Sequence, residues 1–258
     1  MTIVLLLLFG LCIGSFLNVV IYRVPRKLSV TTPRRSFCTS CERTLLWWEN
    51  IPVLSWLVLR GKCKECKSPI SGRYPFVEVL TGFAAFASYL HFGPTPTALI
   101  VFAITASLIA ITFIDLDFKI IPNVISFPGM TLGLLLGILS QYTGYFTEPV
   151  TQSAWDSLTG FLCGGGFFYV VGLLYYAFTK RVGLGGGDIK LLAYTGAALG
   201  VDSVIPTIFA GSLVGAVVGV VTVLIKGGGR HTEIPFGPWL SLGAIIYMFF
   251  DLPFLRLF

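Results

Sequence analysis

Apolar segments long enough to cross a membrane recur throughout this chain of 258 residues. A transmembrane α-helix needs about 20 mostly apolar residues to cross roughly 30 Å of hydrocarbon. Only 12% of the residues are charged and 55% are hydrophobic, which excludes a water-soluble globular domain. The sequence therefore predicts an all-α polytopic membrane protein with about eight transmembrane helices, at residues 3–22, 76–93, 98–114, 124–141, 157–178, 189–203, 204–225 and 236–250.

Two of these segments differ from a standard transmembrane helix. Segment 189–203 is short and runs almost directly into the next one, so it is compatible with a tilted or half-buried helix as well as with a full crossing. The first segment has no basic residue before it and is longer than the apolar part of a signal peptide, so we expect it to stay attached. The chain is then divided into a first transmembrane helix (1–22), a cytoplasmic cysteine-rich loop domain (23–75) and a transmembrane core (76–258).

Lys and Arg lie almost entirely on one side of the membrane in this arrangement. Seventeen of the 18 fall in residues 23–75, 115–123, 179–190 and 226–235, which an eight-helix topology places on a common face. The opposite loop, 142–156, contains none. Because short cytoplasmic loops carry the positive excess, we expect the N-terminus outside and the large loop inside. Topology thus explains the net charge of +6, and we expect no nucleic-acid partner.

Two CxxC pairs lie in the large loop, with 21 residues between Cys38-x-x-Cys41 and Cys63-x-x-Cys66. Each pair supplies two sulfurs from a tight turn, and two such pairs suit one tetrahedral thiolate site, most simply for structural zinc. A loop of this size buries little apolar surface, so a metal would stabilise it. Redox-active dithiols and four unligated cysteines remain as alternatives, whereas the reducing cytosol argues against disulfides.

Two further stretches place carboxylates at the ends of predicted helices. Asp115 and Asp117 lie where the third helix ends, and Asp188 closes the glycine-rich run 183–188 where the sixth begins. A helix that continues through Asp115 and Asp117 points them about 200° apart, so only one can face the bundle, and spacing does not say which. The predicted topology puts these helix ends at the same membrane face. Two carboxylates there suit aspartyl hydrolysis, in which one takes a proton from water and its protonated partner polarises the scissile carbonyl.

Ordinary structural roles for these acids stay open at this point. Each aspartate could simply face water or a nearby Lys. Glu78, near the inner end of the second helix, is a functional candidate as an intramembrane acid, although pairing with Arg73 would also account for it. If the aspartates do form a pair, helix polarity favours Asp188 as the ionised base and Asp115 as the protonated acid, while the pair titrates jointly.

A series of motifs covers nearly the whole chain, and their order and spacing resemble those of the bacterial type IV prepilin peptidases. These are membrane aspartyl proteases named for a Gly-x-Gly-Asp motif. The matching residues are 14–20 with Arg23 and Pro25, the four loop cysteines, 48–52, 61–63, 73–75 with Glu78, Ile114-Asp115 to Pro122, 185–191 and 235–238.

The resemblance implies that Asp115 and Asp188 are the catalytic pair and that residues 76–258 form a transmembrane aspartyl peptidase core. It implies cleavage of leader peptides from prepilins or pseudopilins, for a type IV pilus or type II secretion system, at the cytoplasmic face of the bacterial inner membrane. It further implies methylation of the new N-terminal amine by S-adenosylmethionine, an activity associated with the loop and with Gly61 and Lys62.

Three rival functions remain at the level of sequence, and the oligomeric state is undetermined. The first is a peptidase without methyltransferase activity, and the second is an ion-coupled transporter. The third is a non-enzymatic assembly factor whose cysteine loop binds a partner. Acids at one membrane surface, and no visible inverted repeat, argue against the transporter.

Overall fold

The computed structural model describes residues 2–180, 185–226 and 235–250, and its architecture is a bundle of helices with a loop domain after the first. Within these ranges the extended structure consists of two isolated antiparallel bridges, so the predicted all-α class is confirmed. The helices are α1 (Thr2–Arg23), α2 (Leu54–Val58), α3 (Arg73–Phe92), α4 (Pro96–Phe118), α5 (Asn123–Thr143), α6 (Ala154–Phe161), α7 (Phe168–Thr179), α8 (Gly186–Leu199), α9 (Val204–Lys226) and α10 (Gly237–Phe249).

Every predicted span coincides with a helix, and a π-helical stretch, Leu162–Phe167, joins α6 to α7 into one continuous segment. In the described part of the chain, five segments are long and apolar enough to cross a bilayer. The count of eight crossings therefore stays a prediction. The five segments are Thr2–Arg23, Pro96–Phe118, Asn123–Thr143, Ala154–Thr179 and Val201–Ile225.

The helix termini follow local sequence signals. Thr95 caps α4 by accepting a hydrogen bond from the Ala98 N–H, with Pro96 in the first turn. At its other end α4 stops at Lys119, whose left-handed backbone lets its N–H reach the Asp115 carbonyl at 2.9 Å. These two caps fix the length of α4, and with it the position of Asp115 in the last turn.

Helix α8 has 14 residues, which is short for a membrane crossing. All residues from 191 to 200 are buried, so the helix is enclosed by protein. The loop before α6 folds inward and meets the C-terminal end of α8, where the Thr151 N–H donates to the Ala198 carbonyl at 3.1 Å. Backbone groups are thus satisfied without lipid contact, and α8 matches the half-buried helix that the sequence allowed.

Six helix termini meet at one end of the bundle. Asn18, near the end of α1, donates to the Tyr74 carbonyl at the start of α3. The end of α4 likewise contacts the start of α10, and the start of α5 contacts the start of α8. This end carries all the acidic side chains that the sequence selected as candidates.

Candidate active site and metal centre

Asp115 is directed into the bundle. It is 5% exposed, and the Gly237 N–H at the start of α10 donates to its Oδ2 at 3.1 Å. Asp117 is exposed on the other side of α4, where it pairs with Arg73 at 2.6 Å. The structure therefore answers the question that spacing left open, and the inward carboxylate is Asp115.

Asp188 lies in the first turn of α8, just after the glycine-rich run. Its carboxylate folds back over Gly185, because a Cβ added at Gly185 would lie 2.8 Å from Asp188 Oδ2. Negative charge is favoured at this end of a helix. Residues 183 and 184 of the predicted run lie outside the described residues.

Ile121 lies between the two carboxylate-bearing turns. A Cβ at Gly187 would be 3.3 Å from its side chain, and a Cβ at Gly237 would be 3.2 Å from it. Asp115 is also near enough to Asp188 for the two charges to interact. The two aspartates predicted as a catalytic pair are therefore brought together, by the end of α4, the turn that follows it and the starts of α8 and α10.

A glycine lies directly against each carboxylate. A Cβ at Gly237 would lie 2.7 Å from Asp115 Oδ2, slightly closer than the 2.8 Å between a Cβ at Gly185 and Asp188 Oδ2. Any larger residue at either position would push against the carboxylate. The missing side chains let the chain's own backbone approach the acids, and the Gly237 N–H reaches Asp115 Oδ2 in this way.

The cationic side chain of Lys190, two residues after Asp188, forms a hydrogen bond with a residue other than the aspartates. Lys190 donates to the Asn123 side-chain oxygen at 2.7 Å, which ties the start of α8 to the start of α5. None of the ion pairs found among the described residues includes Asp115 or Asp188. Both carboxylates therefore lack an ion-pair partner in the part of the chain that the structure describes, which leaves them free for general acid–base hydrolysis.

Sequence reasoning missed two parts of this site. Gly237 was noted within a motif, but its contact with Asp115 depends on how α10 packs against α4. The Lys190–Asn123 hydrogen bond likewise joins two helices that are distant in sequence. The alternative pairing of Glu78 with Arg73 is wrong, because the Arg73 guanidinium binds Asp117 and Glu78 accepts a hydrogen bond from the Val53 N–H.

The two CxxC pairs form matching turns. In the first, the Cys38 N–H donates to the Arg43 carbonyl, and in the second the Cys63 N–H donates to that of Ser68. A residue of positive φ follows each pair, Glu42 at 57° and Lys67 at 59°. An antiparallel bridge closes each turn, Phe37 with Thr44 and Lys62 with Pro69.

The four cysteine sulfurs lie within 4.8 Å of one another. The Sγ atoms of Cys38 and Cys66 are 3.8 Å apart. Tetrahedral zinc with Zn–S bonds of about 2.3 Å requires sulfurs about 3.8 Å apart. The residues Cys38, Cys41, Cys63 and Cys66 therefore fit a four-thiolate metal site.

Neighbouring groups favour the thiolate form of Cys63. Backbone N–H groups of Cys66 and Glu65 point at the Cys63 sulfur and lower its pKa to about 6. The Arg43 guanidinium lies 3.9 Å from the same sulfur and binds Glu49 through two bonds of 2.7 and 2.9 Å. This Arg43 contact lowers the pKa of Glu49 and keeps the pair charged.

Gly61 and Lys62 lie beside the second turn. Gly61 has φ of +65°, and a Cβ there would be 2.9 Å from the Trp56 ring. Trp56 in turn donates to the Ile70 carbonyl at 3.0 Å. The structure therefore gives Gly61 a role in packing, while Lys62 is exposed.

A cavity of about 330 Å³ lies between the loop domain and the ends of α1 and α3. It is of the size that holds small ligands, about 300–1,000 Å³. Gly61 and Lys62 do not line it. Its walls include Ser15, Asn18, Tyr22, Arg23, Phe37, Cys38, Arg43, Glu49, Ser55, Trp56, Cys63, Lys64, Tyr74 and Glu78.

Comparisons with known proteins match both the part of the chain that contains the loop cysteines and the part that contains the two aspartates. The family described as the bacterial peptidase A24 N-terminal domain matches residues 8–92, which include the four loop cysteines. The family described as the type IV leader peptidase family matches residues 102–220, which include Asp115 and Asp188. No solved structure gives a significant match.

Curated relatives extend the match to most of the chain. A prepilin leader peptidase/N-methyltransferase of Aeromonas hydrophila is 37% identical over 94% of this chain and 88% of its own length. A protein of the same name from Legionella pneumophila is 37% identical over 94% of this chain and 89% of its own. One from Myxococcus xanthus is 40% identical over 89% of this chain and 66% of its own. The chain therefore belongs to the type IV leader peptidase family.

Proposed function

We propose that this protein is an aspartic endopeptidase that removes the leader peptide of type IV prepilins or pseudopilins, with Asp115 and Asp188 as its catalytic pair. The observation that carries the proposal is the junction at Ile121, where the helix ends that bear the two carboxylates come together, with a glycine against each carboxylate. The printed names of its relatives supply the substrate class.

Hydrolysis at such a pair follows general acid–base chemistry. The ionised carboxylate takes a proton from a water held between the two, and the protonated partner donates a hydrogen bond to the scissile carbonyl. Water oxygen adds to the carbonyl carbon, and the tetrahedral intermediate collapses as the C–N bond breaks and the proton taken from water is passed from the carboxyl group to the leaving amine. Helix polarity favours Asp188 as the base, but the Gly237 N–H favours charge on Asp115, so that assignment stays a prediction.

The site would face the cytoplasm at the bacterial inner membrane, with the N-terminus outside. This orientation rests on the excess of Lys and Arg in the loops at the site end of the bundle. We assign residues 1–22 to a first transmembrane helix, 23–75 to the cytoplasmic cysteine-rich domain and 76–258 to the peptidase core. Membrane lipid would surround the many exposed apolar side chains of α1, α5, α7 and α9.

A second activity is proposed from the names of the relatives, which include N-methyltransferase. S-adenosylmethionine would supply the methyl group: the new N-terminal amine, having lost a proton to water, would form the N–C bond as the S–C bond breaks and S-adenosylhomocysteine leaves. The loop domain would serve this activity, and structural zinc on its four cysteines would hold the domain together. The involvement of Gly61 and Lys62 stays a prediction from the resemblance.

Cleavage of a prepilin by purified single variants tests the peptidase proposal. Asp115→Asn and Asp188→Asn should each lower the cleavage rate at least about a hundredfold, since each removes a proton-transfer group. Asp117→Asn is the matched control, because Asp117 lies two residues away, is exposed and binds Arg73. Processing that survives in Asp188→Asn, measured on gels or by mass analysis, would contradict the mechanism.

A further inference from the structure

The cavity under the loop domain contains one carboxylate without a cationic partner. Glu78 on α3 is 8% exposed and lines the cavity. It accepts a hydrogen bond of 2.7 Å from the Val53 N–H, and Ser15 lies beside it. No ion pair of Glu78 is found among the described residues, and the nearby Arg73 is engaged with Asp117.

The cations that line the same cavity are all engaged. Arg23 is 4% exposed and donates to the carbonyls of Ser29, Val30, Pro33 and Arg35. Arg43 binds Glu49 and Glu65, and Lys64 lies over the Trp48 ring at 5.0 Å. The negative charge of Glu78 is therefore the one that lacks a partner on the cavity wall.

The Val53 N–H that donates to Glu78 belongs to a residue with a strained backbone. Val53 has φ of 61° and ψ of −50°, and the Leu54 N–H closes a three-residue turn on the Pro52 carbonyl at 2.6 Å. This is the rare form of the γ-turn, and a β-branched residue adopts it only when its surroundings impose it. Strained residues of this kind cluster at ligand sites.

Four aromatic side chains, those of Tyr22, Phe37, Trp56 and Tyr74, also line the cavity. Trp56 is fixed by its hydrogen bond to Ile70, and Tyr22 packs edge-on against Phe37 at 6.3 Å. Tyr74 is held at the same end by the contact of its carbonyl with Asn18. Rings of this type suit a flat heterocycle and a cation in one ligand.

We infer that this cavity binds the methyl donor S-adenosylmethionine, with Glu78 facing the sulfonium cation and aromatic side chains facing the adenine. The inference rests on the proposed methyltransferase activity and assigns it a place distinct from the Asp115–Asp188 pair. The residues present fit the ligand, because the cavity has a suitable volume, four aromatic side chains and a buried carboxylate without a cationic partner. Gly61 then acts indirectly, by positioning Trp56.

Binding measurements on the full-length protein in nanodiscs test this inference. S-adenosylmethionine and S-adenosylhomocysteine differ in the sulfonium charge, so titration calorimetry with both isolates that charge. Glu78→Gln should weaken S-adenosylmethionine binding about tenfold more than S-adenosylhomocysteine binding, the loss expected for one close charge pair. Glu42→Gln, an exposed acid of the same domain away from the cavity, should bind both ligands as the wild type does.

A filling substitution tests the cavity independently of Glu78. Ser55 lines the cavity, and Ser55→Trp should weaken both ligands at least about tenfold by occupying the space. Leu57→Trp in the same short helix is the control, since Leu57 is 57% exposed and lies outside the cavity. Prepilin cleavage by each variant should remain within about twofold of the wild type, which shows that the protein is folded.

The outcomes separate the inference from the proposed function. Wild-type protein that binds neither ligand would contradict both the donor site and the methyltransferase proposal. Wild-type binding that Ser55→Trp leaves unchanged would overturn the cavity assignment while methyl transfer stands. An equal loss of both ligands in Glu78→Gln would overturn the pairing of Glu78 with the sulfonium.

Discussion

Helix α8 and the loop domain differ in what holds them in place. From residue 191 to residue 200 every residue is buried, whereas residues 24–72 bury only Cys38, Glu49, Gly61 and Cys63. The helix is therefore fixed by packing against its neighbours. The loop lacks a hydrophobic core, and its stability must come from the sulfur cluster and the Arg43–Glu49 contacts around it.

The same difference affects how each site can be disturbed. The carboxylate site depends on backbone positions at helix ends, where a single added methyl group reaches Asp115 or Asp188. The metal centre depends on four side chains from two local turns. We therefore expect metal removal to unfold one region and to leave the other largely intact.

Loss of the metal is the largest expected effect. Cys63→Ser should weaken zinc binding at least about a hundredfold and expose the loop domain to trypsin, because the domain has little else to fold around. Metal analysis and limited proteolysis would measure both changes. The control is Cys163→Ser, because Cys163 is an exposed cysteine outside the cluster. If the loop domain stays resistant to trypsin without metal, it has a hydrophobic core that holds it together on its own.

The second largest effect is expected from substitution of a glycine that lies against one of the proposed catalytic carboxylates. Gly237→Ala places its Cβ 2.7 Å from the Asp115 carboxylate, so kcat for prepilin cleavage should fall about a hundredfold. Gly186→Ala should change it by about twofold or less, because no atom lies within 4 Å of the added Cβ. Equal rates for the two variants would mean that the geometry at Asp115 does not limit catalysis.

The Lys190–Asn123 contact should matter less. Lys190→Met removes a hydrogen bond that holds the start of α8 against α5. Because this bond involves a charged group, we expect kcat/KM for prepilin cleavage to fall roughly tenfold when it is lost. The matched double variant with Asn123→Ala should be no worse than Lys190→Met alone. Additive losses would show that the two residues act separately.

The smallest effect is expected at the Arg73–Asp117 ion pair. Both side chains are about one-third exposed, and such pairs contribute about 1 kcal/mol or less. Arg73→Gln should therefore lower the melting temperature by a few degrees at most and leave cleavage unchanged. A large loss of activity would indicate that the junction between α3 and α4 positions the carboxylate site.

Prediction from sequence succeeded where the signal was local. The CxxC spacing predicted the four-sulfur cluster, because each pair lies in its own turn and the two turns are alike. Apolar segments predicted the helices, since period and composition are properties of a single element. The choice between Asp115 and Asp117, in contrast, required knowledge of which face of α4 meets α10.

Several features could not be predicted because they depend on contacts between distant segments. Gly237 contacts Asp115 across the bundle, and Val53 is strained where its N–H meets Glu78. The enclosure of α8 arises from its packing against α5, α6 and the π-helical stretch, which are distant from it in sequence. Such contacts depend on tertiary packing, which the residues of a single element do not encode.

Cleavage at the carboxylate pair and methylation at the loop domain should be separable within one protein. Mass analysis of the double variant Asp115→Asn/Asp188→Asn tests this separation, with S-adenosylmethionine and two substrates, an intact prepilin and an already cleaved pilin peptide. We expect the prepilin to remain intact while the cleaved peptide gains a methyl group. Cleavage of the prepilin by this variant would contradict the assignment of the two activities, as would failure to methylate the cleaved peptide while the wild type does so.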